Sequence, residues 1–342
     1  MDFALEDSQR AVAGLAAEVL AGADPWKELA QAGLLDVSPP DGLGVLDAAV
    51  LLTEIGKHAT PDVPFRALAT LALGALPVAR WGDAALREAV LPAVASGELI
   101  LTAAIREPSD PQPDLPATTI TDSTITGTKL GVPYAAESSR LLIPARLAPA
   151  RPAPAVALVE PSAEGVSLTR TPSATGQPEY TVRLNQAPVV GVLGGADCVR
   201  DLYQLALAGA CALADGAVAG ALALTRDHVA SREQFGRPLA AFQAVSQQIA
   251  DVYIASRTLH LAALSGCWRL DRGLDAAGDL DVAAYWCATH APPSVRQCHH
   301  LHGGLGMDAR YPLHRYSSLV SDVVRFLGGA DYRLERLACS PT

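Results

Sequence analysis

The segment from Asp201 to Val229 sets the terms for the rest of the chain. Its middle reads L-A-L-A-G-A-C-A-L-A-D-G-A-V-A-G-A-L-A-L, so apolar residues occupy nearly every position and not a single stripe. A helix that is apolar all round has to be covered all round. The small residues permit close helix–helix approach, and Asp215 interrupts the run. A core or interface helix is therefore expected here, not a membrane span. Ala and Leu dominate the 342 residues and aromatics make up only 5%, a composition that suits long packed helices.

Helical periodicity recurs on both sides of a β-rich middle. Gln9 to Leu20 carries Val12, Leu15, Val19 and Leu20 near a 3.6 period, and Leu46 to His58, Phe65 to Leu76 and Asp83 to Ser96 read as further helices. Lys57 and His58 fall at a helix C-terminus, where cations suit the dipole. A Pro/Gly loop spans Ser38 to Gly44. From Leu99 the pattern changes. Leu99 to Thr102, Thr118 to Lys129, Leu141 to Leu147, Ala155 to Val159, Val166 to Thr169 and Tyr180 to Leu184 are short β candidates separated by turn residues, as in a small antiparallel barrel or sandwich. Pro149 to Pro154 reads as a loop. Helical patterns return from about Gly195, with Ile249 to Leu270, Leu280 to Ala291 and a last helix after Tyr311-Pro312. The order α, β, α divides the chain at 1–97, 98–194 and 195–342.

Composition narrows the function classes. A net charge of −10 with no basic patch disfavours nucleic acid and anionic membranes. The six cysteines form no C-x-x-C pair and read as buried thiols of a reducing compartment. The first ten residues, M-D-F-A-L-E-D-S-Q-R, are acidic and lack an apolar h-region, so no signal peptide and a cytoplasmic location are expected.

The most specific chemistry lies at Ser231 to Ala250, S-R-E-Q-F-G-R-P-L-A-A-F-Q-A-V-S-Q-Q-I-A, a break between two helices. Arg232 offers a rigid fork of donors to a diphosphate. Phe235 offers a flat face to an adenine or ribose, and Gly236 and Pro238 break the helix. A second motif, His300-Leu301-His302-Gly303-Gly304-Leu305-Gly306, has glycines that let a phosphate approach the backbone. Taken singly, Arg232 could equally cap a helix and the glycines could merely turn the chain.

Arg232-x-x-Phe235-Gly236-x-x-Leu239-x-x-x-Gln243, together with the His300 to Gly306 motif, Tyr311-Pro312 and Arg315-Tyr316, resembles the acyl-CoA dehydrogenases, flavoproteins that oxidise the Cα–Cβ bond of an acyl-CoA. The resemblance runs nearly end to end. It implies an α+β fold with an N-terminal α-helical domain, a middle β-barrel domain and a C-terminal four-helix bundle. It also implies FAD as cofactor, with Arg232, Phe235, Leu239, Gln243, His300, Gly303 and Gly304 holding the ADP half of the FAD bound to a neighbouring subunit.

The other half of the family's site does not match. Its catalytic glutamate falls on Leu327 and its flavin-contacting threonine on Gly329. The alternative base position falls on Ala206, and the CoA-contacting arginine on Leu207. Where the family reads T-E-P-G-x-G-S-D, this chain has Arg106-Glu107-Pro108-Ser109-Asp110-Pro111. Where it reads G-x-K-x-W-I-T, the chain has Gly131 for the tryptophan and Pro133 for the threonine. No catalytic residue is expected in this chain. It is similar to the smaller, base-lacking subunit of actinobacterial α2β2 enzymes that act on steroid side-chain CoA thioesters in cholesterol catabolism. That likeness implies a homologous catalytic partner subunit, which binds most of the acyl-CoA, and an electron-transfer flavoprotein as acceptor. The rival expectations are a self-sufficient homotetramer with an unrecognised base and a redox-inactive scaffold of the same fold. Glu233, Asp215 and Asp251 are carboxylates a rival base could use, but none sits at a family base position. His299 and His302 share a helical face, and apart from Cys298, expected to point elsewhere, no carboxylate or cysteine stands four residues away, so packing or capping is expected and no metal.

Overall fold

The computed structural model describes residues 3–148 and 153–339. The first four residues of the expected loop at Pro149 to Pro154, and the first two of the acidic N-terminus, lie outside the described residues. The chain forms two compact units, one of Gly22–Ala48 and Phe65–Gly209, the other of Met1–Ala21, Ala49–Pro64 and Ala210–Thr342.

Helix α1 spans Asp7–Val19 and starts with a capping box between Glu6 and Gln9. A helix the sequence pattern does not announce, α2 (Pro25–Gln31), follows. It is short, begins with proline at its first position, and is capped by the Asp24 side chain. Next come α3 (Val45–His58) and α4 (Pro64–Ala67). The helix then widens into a π-helical stretch, Leu68–Ala75, before α5 (Leu76–Trp81). Pro77 has no N–H for the Leu73 carbonyl, which favours such a departure from the α ladder. Within the widened stretch, a Cβ on Gly74 would lie 2.3 Å from the Leu101 Cβ, so the backbone packs directly on the first strand. Helix α6 (Ala84–Ala95) is capped by Asp83, whose side chain accepts from the Leu86 N–H at 2.8 Å.

Eight strands follow: β1 (Leu101–Ala103), β2 (Thr119–Thr121), β3 (Thr124–Pro133), β4 (Arg140–Leu147), β5 (Ala153–Val159), β6 (Val166–Arg170), β7 (Glu179–Pro188) and β8 (Gly191–Gly194). The sheet runs β6-β7-β3-β2-β4-β5-β8, with β1 on β4. The antiparallel expectation is corrected here, because β1–β4 and β2–β4 pair in parallel. Both parallel partners are three-residue strands reached by long connections, which leave no turn signal in the sequence. Ile125, Leu141, Ile143, Val159 and Val182 form the buried centre of the sheet's core.

An ion pair is buried with them. Lys129 Nζ lies 2.8 Å from Glu107 Oε1, with side chains 0% and 2% exposed. The carboxylate also accepts from the Ala117 N–H and from the Thr118 N–H and hydroxyl. Burial alone would raise the Glu107 carboxyl, but Lys129 and these hydrogen bonds outweigh it and hold it below the usual carboxylate range.

The long apolar segment is part of α7 (Ala196–Ser231), whose residues up to Gly209 belong to the first unit; the second unit continues with α8 (Gln243–Asp271), α9 (Ala277–His302), α10 (Leu313–Phe326) and α11 (Ala330–Cys339). Helix α9 packs against α8, α10 and α11. By length and composition α7 could cross a membrane, contrary to the expectation that charges cut every apolar run short. Its most apolar window is nevertheless 83% buried inside the protein, as a core helix requires. The small residues do bring backbones together. A Cβ on Gly216 would sit 2.0 Å from the Thr53 carbonyl oxygen, and one on Gly56 2.3 Å from that of Leu213. Asp215, the one charge inside the run, accepts from His260 Nδ1 at 2.8 Å. Five of the six cysteines are buried, and Cys339 is exposed, which corrects the reading of all six as buried.

Candidate functional site

Helix α7 ends at Ser231, whose hydroxyl closes the last turn on the Asp227 carbonyl at 2.7 Å. The chain then makes a β-hairpin before α8 begins. Strands β9 (Glu233–Gln234) and β10 (Arg237–Pro238) pair with Gln234 opposite Arg237. The two-residue connection is Phe235-Gly236, with φ of 54° and 75°. Two consecutive positive φ values make this a type I′ turn. The expected break between the helices is thus a hairpin that thrusts Phe235 outward, where it is 93% exposed. The Phe235 ring meets Phe242 edge-on at 6.2 Å, and Arg237 lies 4.0 Å over the Phe242 ring.

At the end of α9 the chain turns at Gly303 (φ 58°, ψ −134°) into a short 3₁₀ turn, Gly303–Met307. His302 is buried and fully engaged. Its Nδ1 donates to the Cys298 carbonyl at 2.8 Å, which leaves Nε2 to accept from the Tyr311 hydroxyl at 3.0 Å. His299 is tied to the Gly306 carbonyl at 2.9 Å, with Ser317 Oγ 3.1 Å from its other nitrogen. These two histidines order the turn.

The hairpin and the glycine turn face one open depression of about 770 Å³, lined by His228, Arg232, Leu239, His300, Gly303 and Gly304 among others. Five of the seven sequence-predicted residues therefore converge. Phe235 and Gln243 do not line it; both are exposed on the segment that forms its rim. None of its lining residues is Asp or Glu. Among the described residues no side chain pairs with the Arg232 guanidinium, while its backbone N–H donates to the His228 carbonyl at 2.8 Å at the end of α7. A Cβ on Gly303 or Gly304 would meet nothing within 4 Å, so both leave their backbone open. A cationic concavity with bare backbone and no carboxylate is chemically fitted to an anion such as a diphosphate.

His228 is a titratable lining residue that sequence reasoning misses. Its ring stacks on His302 with centroids 4.4 Å apart and planes 17° from parallel. The available signal was its spacing, one helical turn before Arg232.

The positions onto which the resemblance maps the family's base and flavin contacts look different. Leu327 is fully buried at the end of α10, and its carbonyl accepts from Arg333 Nε at 2.6 Å. Ala206 and Leu207 are buried. Gly131 sits at a register shift in β3 with φ 62°, and Pro133 pairs with Glu179. Of the other carboxylates, Asp215 is held by His260, while Glu233 and Asp251 are exposed.

Residues 2–98 match the acyl-CoA dehydrogenase N-terminal domain and residues 204–335 the acyl-CoA dehydrogenase C-terminal domain. Acyl-CoA dehydrogenase FadE28 of Mycobacterium tuberculosis is 44% identical over 358 residues, covering 100% of both chains. A solved Tcur3481-Tcur3483 steroid acyl-CoA dehydrogenase variant superposes with a TM-score of 0.87 at 30% identity over 97% of each chain. The ChsE4-ChsE5 complex from Mycobacterium tuberculosis does so with 0.88 at 29% identity over 100% of each. With both helical domains matched and a full-length relative at this identity, the chain belongs to the acyl-CoA dehydrogenase family, oxidoreductases that act on the CH–CH bond of an acyl-CoA and use FAD.

Proposed function

We propose that this chain is the non-catalytic subunit of a heteromeric FAD-dependent acyl-CoA dehydrogenase, and that it completes the FAD site of a homologous partner subunit. The observation that carries this reading is the asymmetry of the chain. The carboxylate-free depression around Arg232 is intact, while Leu327, Ala206, Gly131 and Pro133 stand where a base and flavin contacts would be required. The likeness to a steroid acyl-CoA dehydrogenase and to the ChsE4-ChsE5 complex supports a steroid side-chain CoA thioester as substrate and a heterotetramer as assembly.

Arg232 directs its donors at the diphosphate. Gly303 and Gly304 allow close backbone approach, and His300 lies beside them. Phe235 offers its exposed face to the adenosine half, with Leu239 and Gln243 completing the contact surface. FAD held here would supply the acceptor for the β-hydride, with the α-proton taken by a carboxylate of the partner subunit. This chain's part is to hold and orient the cofactor.

Expression of the chain alone and together with a homologous full-length partner tests the reading through flavin content and acyl-CoA dehydrogenation. Stoichiometric flavin and turnover in the lone chain would sink it. In the mixed complex Arg232→Ala is expected to lower flavin occupancy; unchanged occupancy would show that Arg232 has only a structural part.

A further inference from the structure

We infer that His228 is a proton-linked ligand of the cofactor's diphosphate: its imidazolium joins Arg232 on the anion, so that cofactor retention tightens as pH falls. The inference rests on the assignment of the depression to FAD. It adds a residue to the clamp and makes the clamp pH-sensitive.

His228 lies in the last turn of α7, four residues before Arg232, which places both side chains on one helical face. Both line the depression. The stack on His302 fixes the plane of the His228 ring at its edge. Both nitrogens of His302 are already engaged within the protein, Nδ1 with the Cys298 carbonyl and Nε2 with the Tyr311 hydroxyl. Among the described residues, by contrast, no protein group hydrogen-bonds the His228 ring, so its nitrogens are left for what the depression holds.

No Asp or Glu lines the depression beside His228. Arg232 shares the lining from the end of α7 and His300 and His302 from α9, while Tyr311, in the loop beyond, bonds His302. Asp227, the adjacent carboxylate, is paired with Arg226 at 2.8 Å. Burial, and then the Arg232 charge, hold the His228 imidazole below its ordinary range, which disfavours its charged form. A diphosphate supplies the missing countercharge to Arg232 and to an imidazolium together, which raises the bound-state value. Affinity then increases as pH falls from the bound-state to the free-state value, and levels off below the latter.

The test uses the full chain in complex with its homologous partner subunit. FAD affinity is measured by flavin fluorescence across pH. Proton uptake is counted by calorimetry in two buffers of different ionisation heat. Wild type should bind roughly five- to tenfold tighter at about pH 6 than at about pH 8, with net proton uptake. His228→Gln and His228→Phe, the latter retaining the stack on His302, should flatten the dependence and abolish the uptake. His58→Gln, outside the depression's lining, should preserve both. A wild-type slope in both His228 variants, or a slope lost in His300→Gln while it survives in them, overturns the inference. Arg232→Ala separates the two levels. Weaker binding at every pH with a wild-type slope in His228→Gln sinks only the His228 inference, whereas unchanged affinity in Arg232→Ala removes the cofactor assignment beneath it.

Discussion

Arg333 holds Leu327 by its backbone. The Nε of a fully buried arginine donates to the Leu327 carbonyl at 2.6 Å, and Arg333 Nη1 lies 3.8 Å from Asp281. This tie fixes the Leu327-Gly328-Gly329 turn between α10 and α11, where the two glycines adopt φ of 90° and 87°. Arg333→Met keeps the bulk but removes the donor and leaves Asp281 without its cation. It should lower stability by about 3 kcal/mol. Urea unfolding measures the loss, and a midpoint equal to wild type would show the tie to be dispensable.

The Glu107–Lys129 pair is a second buried commitment. Removing one partner strands the other charge, so Lys129→Met or Glu107→Gln should each cost about 3–5 kcal/mol, and the double variant less than the sum. The pH dependence has a definite sign. Because the folded-state Glu107 value is depressed, its contribution is complete above the unfolded-state value of about 4.3 and is lost as pH falls through the lower folded value. Unfolding midpoints between about pH 5 and 3 should fall more steeply in wild type than in Lys129→Met, where the lowering partner is gone. Parallel slopes would count against this account.

Much of this architecture is legible in the sequence because it follows from periodicity. The nearly all-apolar run from Leu205 to Leu224, broken by Asp215, reads as a covered helix, and the Thr/Ile alternation near Thr118 as extended chain. What is not legible depends on contacts between distant residues. Pairing of β1 and β2 with β4 in parallel leaves no local mark. Glu107 and Lys129 stand in recognisable motifs, but only the fold shows that they are each other's partners. Likewise the motifs that hold Arg232 and Gly303, which we propose as clamp residues, can be picked out from the chain, while the stack of His228 on His302 joins residues 74 positions apart. The turn at Phe235 was hidden for another reason: a bulky residue carries no signal for positive φ.

The helix crossings yield a contrast between two glycines. In an exposed helix interior, Gly→Ala stabilises by about 1 kcal/mol. Gly14 lies in α1 and is exposed, and a Cβ there would meet nothing within 4 Å, so Gly14→Ala should show that gain. Gly216 has the same helical preference, but its new methyl would sit 2.0 Å from the Thr53 backbone oxygen. Backbone cannot yield as a side-chain tip can, so Gly216→Ala should lose about 1–3 kcal/mol net. Thermal unfolding of the two variants should shift in opposite directions; shifts of the same sign would reject the crossing as the cause.

Phe235 links strain to the clamp. Its φ of 54° occupies the first central position of a type I′ turn, a place suited to asparagine or glycine, and its ring is 93% exposed. A non-glycine residue held in the left-handed region costs on the order of 1 kcal/mol, and a bare aromatic in solvent returns little of it. The arrangement makes physical sense if the ring is covered when the cofactor and the partner subunit are in place. Phe235→Asn should therefore stabilise the isolated chain by up to about 1 kcal/mol while weakening FAD retention in the mixed complex. Chemical denaturation of the lone chain and flavin occupancy of the complex read the two effects separately. A variant that gains stability with full flavin occupancy would leave the ring's exposure unexplained, and one that loses both would place Phe235 in the fold and not in the clamp.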